Sequence, residues 1–297
     1  MSESETEPRP GDTVQALPPM WSWQEFVDRA RAPDSIDDGG GRRERGDGQG
    51  GDAWAGGSWE EALRLAEDGW TAVLPAVEAE VAVLRERAGS EVVTTALVPA
   101  WDVTGSEVDV GAYLSGAPEC MVDAVPQRIS TRGRVVAFLV PTAYANTTAH
   151  SAVRHRGVAL AALCSAIIAS GHSVEIWSGY CGYLSGTDRF ASVARVVSAA
   201  EPLDIGRLMF VMAHPAMLRR LWFAVWDSAP EPAARRMHGN SYGYPSFDCF
   251  PEDLPEGVED AYVLPYLSEE DRQWETADTA LAWCRKMFTS LGLLRDA

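Results

Sequence analysis

A chain of 297 residues, 46% of them hydrophobic, can build one large domain or a domain with a smaller appendage. Its formal net charge of −18 disfavours nucleic acid as a partner, because the surface as a whole repels phosphate. No apolar run reaches the length of a membrane span and the acidic N-terminus lacks the apolar core of a signal peptide, so we expect a cytoplasmic protein without a membrane anchor.

The N-terminal part reads as a tail followed by an α+β segment. Residues 1–20 are acidic and contain prolines, which predicts a disordered tail. Residues 21–132 hold short helix and strand patterns, interrupted by a Gly-rich, charged stretch at residues 34–52 that predicts a flexible loop. We expect this segment to pack on the rest of the chain, by extending its sheet or by covering one face.

Local signals place the elements of the N-terminal segment. Ser58 and Glu61 have the spacing of a capping box, which predicts the start of a helix. Two β-branched runs, residues 91–101 and 107–114, predict the strands of a hairpin. Residues 116–132 read as a connection to the rest of the chain.

The centre of the chain carries the clearest pattern. Residues 134–140 and 171–178 are apolar, β-branched runs typical of buried strands, and apolar residues recur at helical spacing over residues 153–170 between them. Gly171 is a good helix stop. Strand, helix and strand in this order predict a parallel βαβ unit with a right-handed crossover.

Further elements follow the central unit. Residues 190–200 predict an edge strand antiparallel to residues 174–177, and Asp204 caps a predicted helix that ends near Ala213. The aromatic and β-branched density of residues 221–226 favours a buried strand over a continued helix.

The last part of the chain is less regular. Residues 233–257 predict a long loop, and a loop of this length is functional or mobile. Residues 262–267 predict a strand, and residues 276–291 predict a closing helix. The loop carries four aromatic residues that look exposed: Tyr242, Tyr244, Phe247 and Phe250.

This order of elements is similar to that of von Willebrand factor type A domains over roughly residues 133–294. The stretch from Arg156 to Trp177 resembles the first helix and second strand of such a domain, and residues 221–227 lie where the family has a strand that ends in an acidic loop. The resemblance implies an α/β fold in which residues 133–297 form a three-layer Rossmannoid, type-A-like sheet with helices on both faces, preceded by the α+β N-terminal segment.

The resemblance also suggests where a metal ion would bind. Type A domains usually hold a divalent cation through an Asp-x-Ser-x-Ser motif after the first strand, with a Thr and an Asp from neighbouring loops. The corresponding stretch here begins with Pro141, which replaces the essential carboxylate. The remaining oxygen ligands include a single acid: Thr142, Asn146, Thr147 and Asp227. We therefore expect no metal ion and no other cofactor.

A second resemblance bears on function. Residues 156–177 and 201–227, with the upstream stretch Ser58–Ala62, resemble an uncharacterised family of actinobacterial phage and plasmid proteins, and the single lysine among 25 basic residues agrees with a GC-rich genome. We expect a non-enzymatic protein-interaction or adaptor component of an actinobacterial phage or mobile element. Because type-A-like domains are often co-subunits of AAA+ ATPases, the resemblance implies such an ATPase as partner, and the acidic surface suits a basic one.

The candidate site follows from the predicted sheet. Open α/β sheets place ligands at the carboxyl ends of their strands, where the loops after the strands meet. These loops hold the residues of a predicted interaction rim: Tyr144, Asn146, Thr147, His150, Asp227, His238, Asn240, Tyr242 and Tyr244. For any one of them an ordinary surface-loop position is the competing interpretation.

Two other functions stay open. An enzyme acting at the rim would use Asp227, His238 and Asn240 as its polar groups, and a virion or assembly component would need an exposed apolar or aromatic patch. A nucleophilic site at Cys181, in an accessible-looking turn, has no sequence signature in its support. The three glycines of residues 179–186 fit a tight turn better than a phosphate cradle.

The basic residues form three short clusters. Each cluster predicts surface ion pairs with the many carboxylates, although on one common face they would offer a phosphate-binding patch. The clusters consist of Arg154 and Arg156, Arg219 and Arg220, and Arg235 and Arg236.

Overall fold

The computed structural model describes residues 13–35, 51–75, 78–79, 82, 95–128, 134–145, 147–169, 171–185, 188–239, 242, 248–258, 260–268 and 271–291. The helices are α1 (Trp23–Arg31), α2 (Asp52–Ala55), α3 (Trp59–Asp68), α4 (Val110–Leu114), α5 (His150–Ala169), α6 (Ile205–Ala213), α7 (Phe223–Asp227), α8 (Glu231–Gly239) and α9 (Ala277–Ser290). The strands are β1 (Thr13–Ala16), β2 (Thr95–Asp102), β3 (Glu107–Val108), β4 (Met121–Arg128), β5 (Val135–Pro141), β6 (Ser173–Ser185), β7 (Asp188–Val197) and β8 (Tyr262–Val263).

A five-stranded sheet in the order β1-β7-β6-β5-β8 organises the main body. β5 pairs parallel with β6 and with β8, whereas β7 pairs antiparallel with β6. Because α5 connects β5 to β6, the predicted βαβ unit is confirmed. Gly171 follows α5 with φ +85°, a left-handed backbone that suits glycine, and it ends the helix as predicted.

The helix starts that the sequence predicts are confirmed by their caps. The Ser58 side chain accepts a hydrogen bond from the Glu61 N–H ahead of α3, and the Asp204 side chain accepts one from the Arg207 N–H ahead of α6. Thr276 caps the predicted closing helix, α9, in the same way. Each cap satisfies a backbone donor that the first turn of a helix leaves without a partner.

The N-terminal residues belong to the main body. Thr13–Ala16, which the sequence places in a disordered tail, forms β1 beside β7. The predicted strand at residues 190–200 is therefore an inner strand rather than an edge, although its antiparallel pairing with β6 is confirmed. β1 satisfies backbone groups of β7 that an edge would expose.

Helix α1, which follows β1, buries Phe26, Val27 and Ala30 in the main core. The rest of the predicted tail and most of the predicted loop at residues 34–52 lie outside the described residues.

Residues 221–226, predicted as a strand, are helical instead. A π-helical turn, Met217–Trp222, leads directly into α7. Trp222 is buried between Phe26 of α1 and Tyr180 of β6, with ring centroids 5.0 and 5.8 Å apart. A helix that is buried on all sides shows no apolar period, and its sequence therefore resembles that of a buried strand.

The two faces of the five-stranded sheet are covered differently. Val136, Phe138 and Val140 of β5 face the large core that the α-helices build, since alternate residues of a strand share a face. The opposite face holds a small cluster of Leu139, Trp177, Cys181, Val193 and Cys249. Among the described residues no α-helix contributes to this cluster, which departs from the predicted helices on both faces. A return segment with a 3-10 turn, Pro251–Asp253, covers it, and the fold is a mixed α/β fold.

A second, three-stranded sheet has the order β2-β4-β3. β2 and β3 both pair antiparallel with β4, so they do not form the predicted hairpin, and the predicted connection at residues 116–132 contains the central strand. Val110–Leu114 is helix α4 rather than strand, because the Asp109 side chain accepts a hydrogen bond from the Ala112 N–H and starts a helical turn.

Of the described helices, α5 has the length and hydropathy of a membrane span. Of its apolar 18-residue stretch, 67% is buried inside the fold. α6 and the helical stretch that ends with α7 have that length and hydropathy only together, and a bend of 73° separates them. Both lie in the large core, and core helices of this kind are consistent with a soluble protein.

Candidate functional site

The predicted interaction rim divides into two groups because its residues lie on different elements. The first group lies between β5 and the start of α5: Tyr144, Thr147 and His150. The second lies around the ends of α7 and α8: Asp227, His238 and Tyr242. Outside the described residues lie Asn146, Asn240 and Tyr244.

The second group forms a hydrogen-bonded cluster. The Tyr242 hydroxyl donates to Asp227 and lies 3.0 Å from each carboxylate oxygen. His238 Nδ1 lies 3.6 Å from Asp227 Oδ1 and 3.4 Å from the Tyr242 hydroxyl oxygen. Tyr242 returns to this position through a left-handed backbone, φ +58°, and its N–H donates to the Met237 carbonyl at the end of α8. The structure thus brings together the Asp and His of the enzyme alternative.

Burial is the largest influence on the charges of this cluster. It raises the pKa of Asp227 to about 6; the Tyr242 hydrogen bond and His238 oppose that shift, and the charge of Asp34 reinforces it. Burial also raises the pKa of Tyr242 well above its usual range. At neutral pH the Asp227 carboxylate therefore accepts a hydrogen bond from a neutral phenol, and it gains a proton as the pH falls through about 6.

Tyr242 is not the exposed recognition side chain that the sequence predicts. It is 4% exposed, and its ring stacks on Phe223 with 3.9 Å between centroids and 3° between ring planes. The Tyr180 hydroxyl donates to the Tyr242 carbonyl. Tyr242 faces inward because α7, which the sequence predicts as a strand, offers it the aromatic ring of Phe223.

The first group surrounds a buried arginine. The Arg219 guanidinium carbon lies 5.3 Å from the Tyr144 ring centroid and 4.3 Å from that of Trp54, and Arg219 Nη1 lies 3.3 Å from His150 Nε2. Burial and the charge of Arg219 lower the pKa of His150, which keeps the imidazole neutral and able to accept this hydrogen bond. Thr147 and His150 are exposed, whereas Tyr144 is buried.

Three of the arginines that predict surface ion pairs are buried instead: Arg156, Arg219 and Arg220. Arg220 donates to Asp52 at 2.8 Å and to the Gly57 carbonyl at 3.1 Å, and so holds the N-terminal segment against the π-helical turn. Arg235 does form the predicted surface pair, with Glu231 on α8. Since half of the six arginines are buried, they do not build one exposed phosphate-binding face.

Cys181 lies inside β6 rather than in an accessible turn. It is buried beside Cys249 in the small second cluster, and burial raises its pKa to about 12, so the thiol stays protonated and unsuited to nucleophilic attack. Gly179 serves close packing, because a Cβ at this position would lie 2.5 Å from the Cys249 sulfur. Its presence is therefore explained without a phosphate cradle.

The described residues offer little to a cation at the type-A position. The Thr142 hydroxyl is bound to the Ser178 hydroxyl, and Asp227 is bound to Tyr242. Within the described part of the chain, no three His, Cys, Asp or Glu side chains converge as they would around a metal ion.

The three-stranded sheet carries an exposed apolar surface that lies outside the predicted interaction rim. Its members lie at one end of the sheet, where β2 ends, β4 begins and β3 leads into α4. We call this surface the apolar tip; its six side chains, each more than half exposed, are Trp101, Val103, Val108, Val110, Tyr113 and Leu114. The sequence does mark this region as unusual in charge, since residues 95–124 hold five Asp or Glu residues and no Lys, Arg or His.

Local hydrogen bonds hold the apolar tip in shape. Trp101 Nε1 donates to Asp109 Oδ2 at 3.0 Å, while Asp109 Oδ1 accepts from the Ala112 N–H at 3.1 Å and caps α4. None of residues 99–124 is fully buried. The tip is therefore shaped by backbone pairing and caps rather than by a core of its own.

Comparison with known proteins identifies a family but no function. A family model with the description "Domain of unknown function (DUF7192)" matches residues 3–295 of the chain. No curated protein and no solved structure matches the chain. Evidence for a role therefore comes from the surfaces and clusters of this chain.

Proposed function

The chain belongs to the DUF7192 family, which brings no activity with it, and we propose from its surface that it is a non-enzymatic protein-interaction or adaptor component. The apolar tip is the observation that carries this proposal. Monomeric soluble proteins rarely expose apolar side chains in one place unless that place binds something. Here six such side chains share one end of a sheet that has no buried residue between positions 99 and 124.

The charges around the tip define its partner. Five carboxylates accompany the apolar side chains: Asp102, Glu107, Asp109, Glu119 and Asp123. A protein surface with an apolar centre and a rim of Lys or Arg would match both features. Within that class, an AAA+ ATPase in the cytoplasm of an actinobacterial phage host remains our proposal from the type A resemblance.

We also propose that the main body is a divergent type-A-like Rossmannoid domain. The βαβ unit, the antiparallel β7 after it and the parallel β8 beside β5 support this relationship. The helical residues 221–226 and the non-helical cover of the second face are departures from that fold.

Capture of the partner from the native host tests the proposed surface. Tagged full-length protein is compared with the variant Tyr113→Ser/Leu114→Ser and with the matched control Val135→Ser/Ile168→Ser, which changes two exposed apolar residues of the main body. We expect mass spectrometry to find one stoichiometric protein with the wild type and the control, lost with the tip variant and weakened by salt. Thermal unfolding should stay unchanged in both variants, because all four side chains are exposed. A partner that the tip variant retains would rule out this surface.

A further inference from the structure

A small recess opens at the carboxyl end of β5, apart from the apolar tip. Its lining includes Thr142 and Tyr144 after β5, Arg156 in the second turn of α5, and His214 after α6. β6 and β8 flank β5 on opposite sides, and the chain leaves β5 through α5 toward β6. Open α/β sheets bind ligands outside the strand ends at such a position.

Arg156 places an unpaired charge at this recess. It is 4% exposed, and its Nη2 donates to the Pro141 carbonyl at 3.1 Å. Within the described part of the chain no carboxylate forms an ion pair with it. Burial lowers the pKa of Arg156 to about 10, an effect that the charges of Asp271 and Asp248 only partly offset. A buried guanidinium without a carboxylate is strongly unfavourable unless an anion compensates it.

Tyr144 supplies a second polar group without a partner. Its side chain is 7% exposed, and among the described residues its hydroxyl finds no hydrogen-bond partner. Burial raises its pKa to about 12, so the hydroxyl keeps its proton and remains a donor. A buried polar atom left in this way calls for a ligand or a bound molecule to satisfy it.

His214 and the N-terminal end of α5 also favour a negatively charged ligand in the recess. Burial lowers the pKa of His214 to about 4, and its Nδ1 accepts a hydrogen bond from the Ala216 N–H at 3.2 Å. We therefore assign the single proton of the neutral ring to Nε2, which makes that atom a donor. Val153 and Arg156 line the recess, so it lies beside the first two turns of a 20-residue helix, whose N-terminal end favours negative charge.

We propose that this recess is a binding site for an anionic oxygen group, a carboxylate or a phosphate, with the Arg156 guanidinium and the Tyr144 hydroxyl as its donors. The recess measures about 280 Å³ with the open space at its mouth included. Its enclosed part has room for about one water molecule, so it takes the oxygen atoms of the anionic group while the rest of the ligand lies in the mouth. The proposal is independent of the apolar tip.

Titration of the full-length protein with inorganic phosphate and with acetate tests the site, with chloride at equal ionic strength as reference. We expect at least one of the two anions to bind in calorimetry and to raise the unfolding temperature above the chloride value. Stronger binding of phosphate indicates a phosphorylated ligand, and stronger binding of acetate a carboxylate ligand. Equal heats and equal unfolding temperatures in all three salts would overturn the proposal.

Two variants tie the binding to the recess. Tyr144→Phe removes a single oxygen atom and should weaken binding about tenfold, as expected for one hydrogen bond to a charged group. Arg156→Met should abolish binding. The controls Tyr113→Phe and Arg235→Met change exposed residues of the same types and should bind as the wild type does. If Arg156→Met does not fold, Tyr144→Phe still decides, because wild-type affinity in that variant would refute the site.

Discussion

The five-stranded and the three-stranded sheets differ in what covers their strands. In β5, six of the seven residues are buried, whereas none of residues 99–124 in the smaller sheet is fully buried. Both regions contain apolar, β-branched sequence. Whether such residues become core or surface depends on the helices and the return segment that pack on the larger sheet, which among the described residues have no counterpart on the smaller one.

The comparison also predicts where substitutions matter. Polar groups buried in the main body must find partners, and removing a partner leaves a charge or a donor unsatisfied at a high cost. The six side chains of the apolar tip are already exposed to water, so substitutions there should change binding rather than stability. Three predictions test this division, in order of decreasing effect.

Asp253→Ala should be the most damaging of these changes. Asp253 accepts hydrogen bonds from both Nη atoms of Arg189, with Nη1 at 2.7 Å, and the two side chains are 4% and 3% exposed. The variant leaves the guanidinium buried without its carboxylate, and we expect the free energy of unfolding to fall by about 3–5 kcal/mol. Urea unfolding followed by tryptophan fluorescence measures the loss.

A surface ion pair provides the control for this prediction. Glu231→Ala removes the exposed pair with Arg235 on α8, and its cost should stay below about 1 kcal/mol. Equal losses in Asp253→Ala and Glu231→Ala would contradict the role of the buried pair in holding the return segment on the second face.

Asp227 should make the main body less stable as the pH rises. Its pKa in the folded state, about 6, lies above the ordinary value of 3.8 because burial disfavours the charged form. Protonation therefore favours the folded state: this contribution is fully present below about pH 4 and is lost as the pH rises through 6, with a total of up to about 3 kcal/mol.

Substitution of Asp227 isolates its contribution. Asp227→Asn should flatten the difference in unfolding free energy between pH 4 and pH 7, as measured by urea unfolding at each pH. The exposed Asp278→Asn on α9 should keep the wild-type dependence. Parallel curves for the wild type and Asp227→Asn would show that Asp227 has no raised pKa.

Two glycines compare the helical core of the main body with the smaller sheet. A Cβ at Gly157 would lie 2.4 Å from the Ala213 Cβ where α5 meets α6, and a Cβ at Gly105 would lie 2.8 Å from the Val122 backbone nitrogen in the smaller sheet. Gly157→Ala should lower the free energy of unfolding of the main body by about 1–3 kcal/mol through overpacking.

Gly105→Ala should act only locally. Because the smaller sheet has no buried core between residues 99 and 124, we expect the main unfolding transition to stay in place while hydrogen exchange accelerates at the amides of β3 and β4. A shift of the main transition as large as that of Gly157→Ala would show that the two sheets unfold together.

Short-range signals in the sequence determined the elements whose physics is local. The βαβ unit, the stop at Gly171 and the caps at Ser58, Asp204 and Thr276 depend on patterns within a few turns of chain, and all are present in the structure. Asp227 and His238 also lie close together, 3.6 Å apart, but the rim predicted for them assumed a strand at residues 221–226 that is helical in the structure.

Tertiary structure alone decided what depends on partners far along the chain. Trp222 of the helical residues 221–226 packs between Phe26 and Tyr180, and Tyr242 is buried against Phe223; no local pattern encodes these contacts. Arg156, predicted at the surface, is likewise buried by distant parts of the chain. Burial is a property of the whole packed chain, so composition supplied the apolar and charged residues, and only the packing of helices on one sheet separated core from surface.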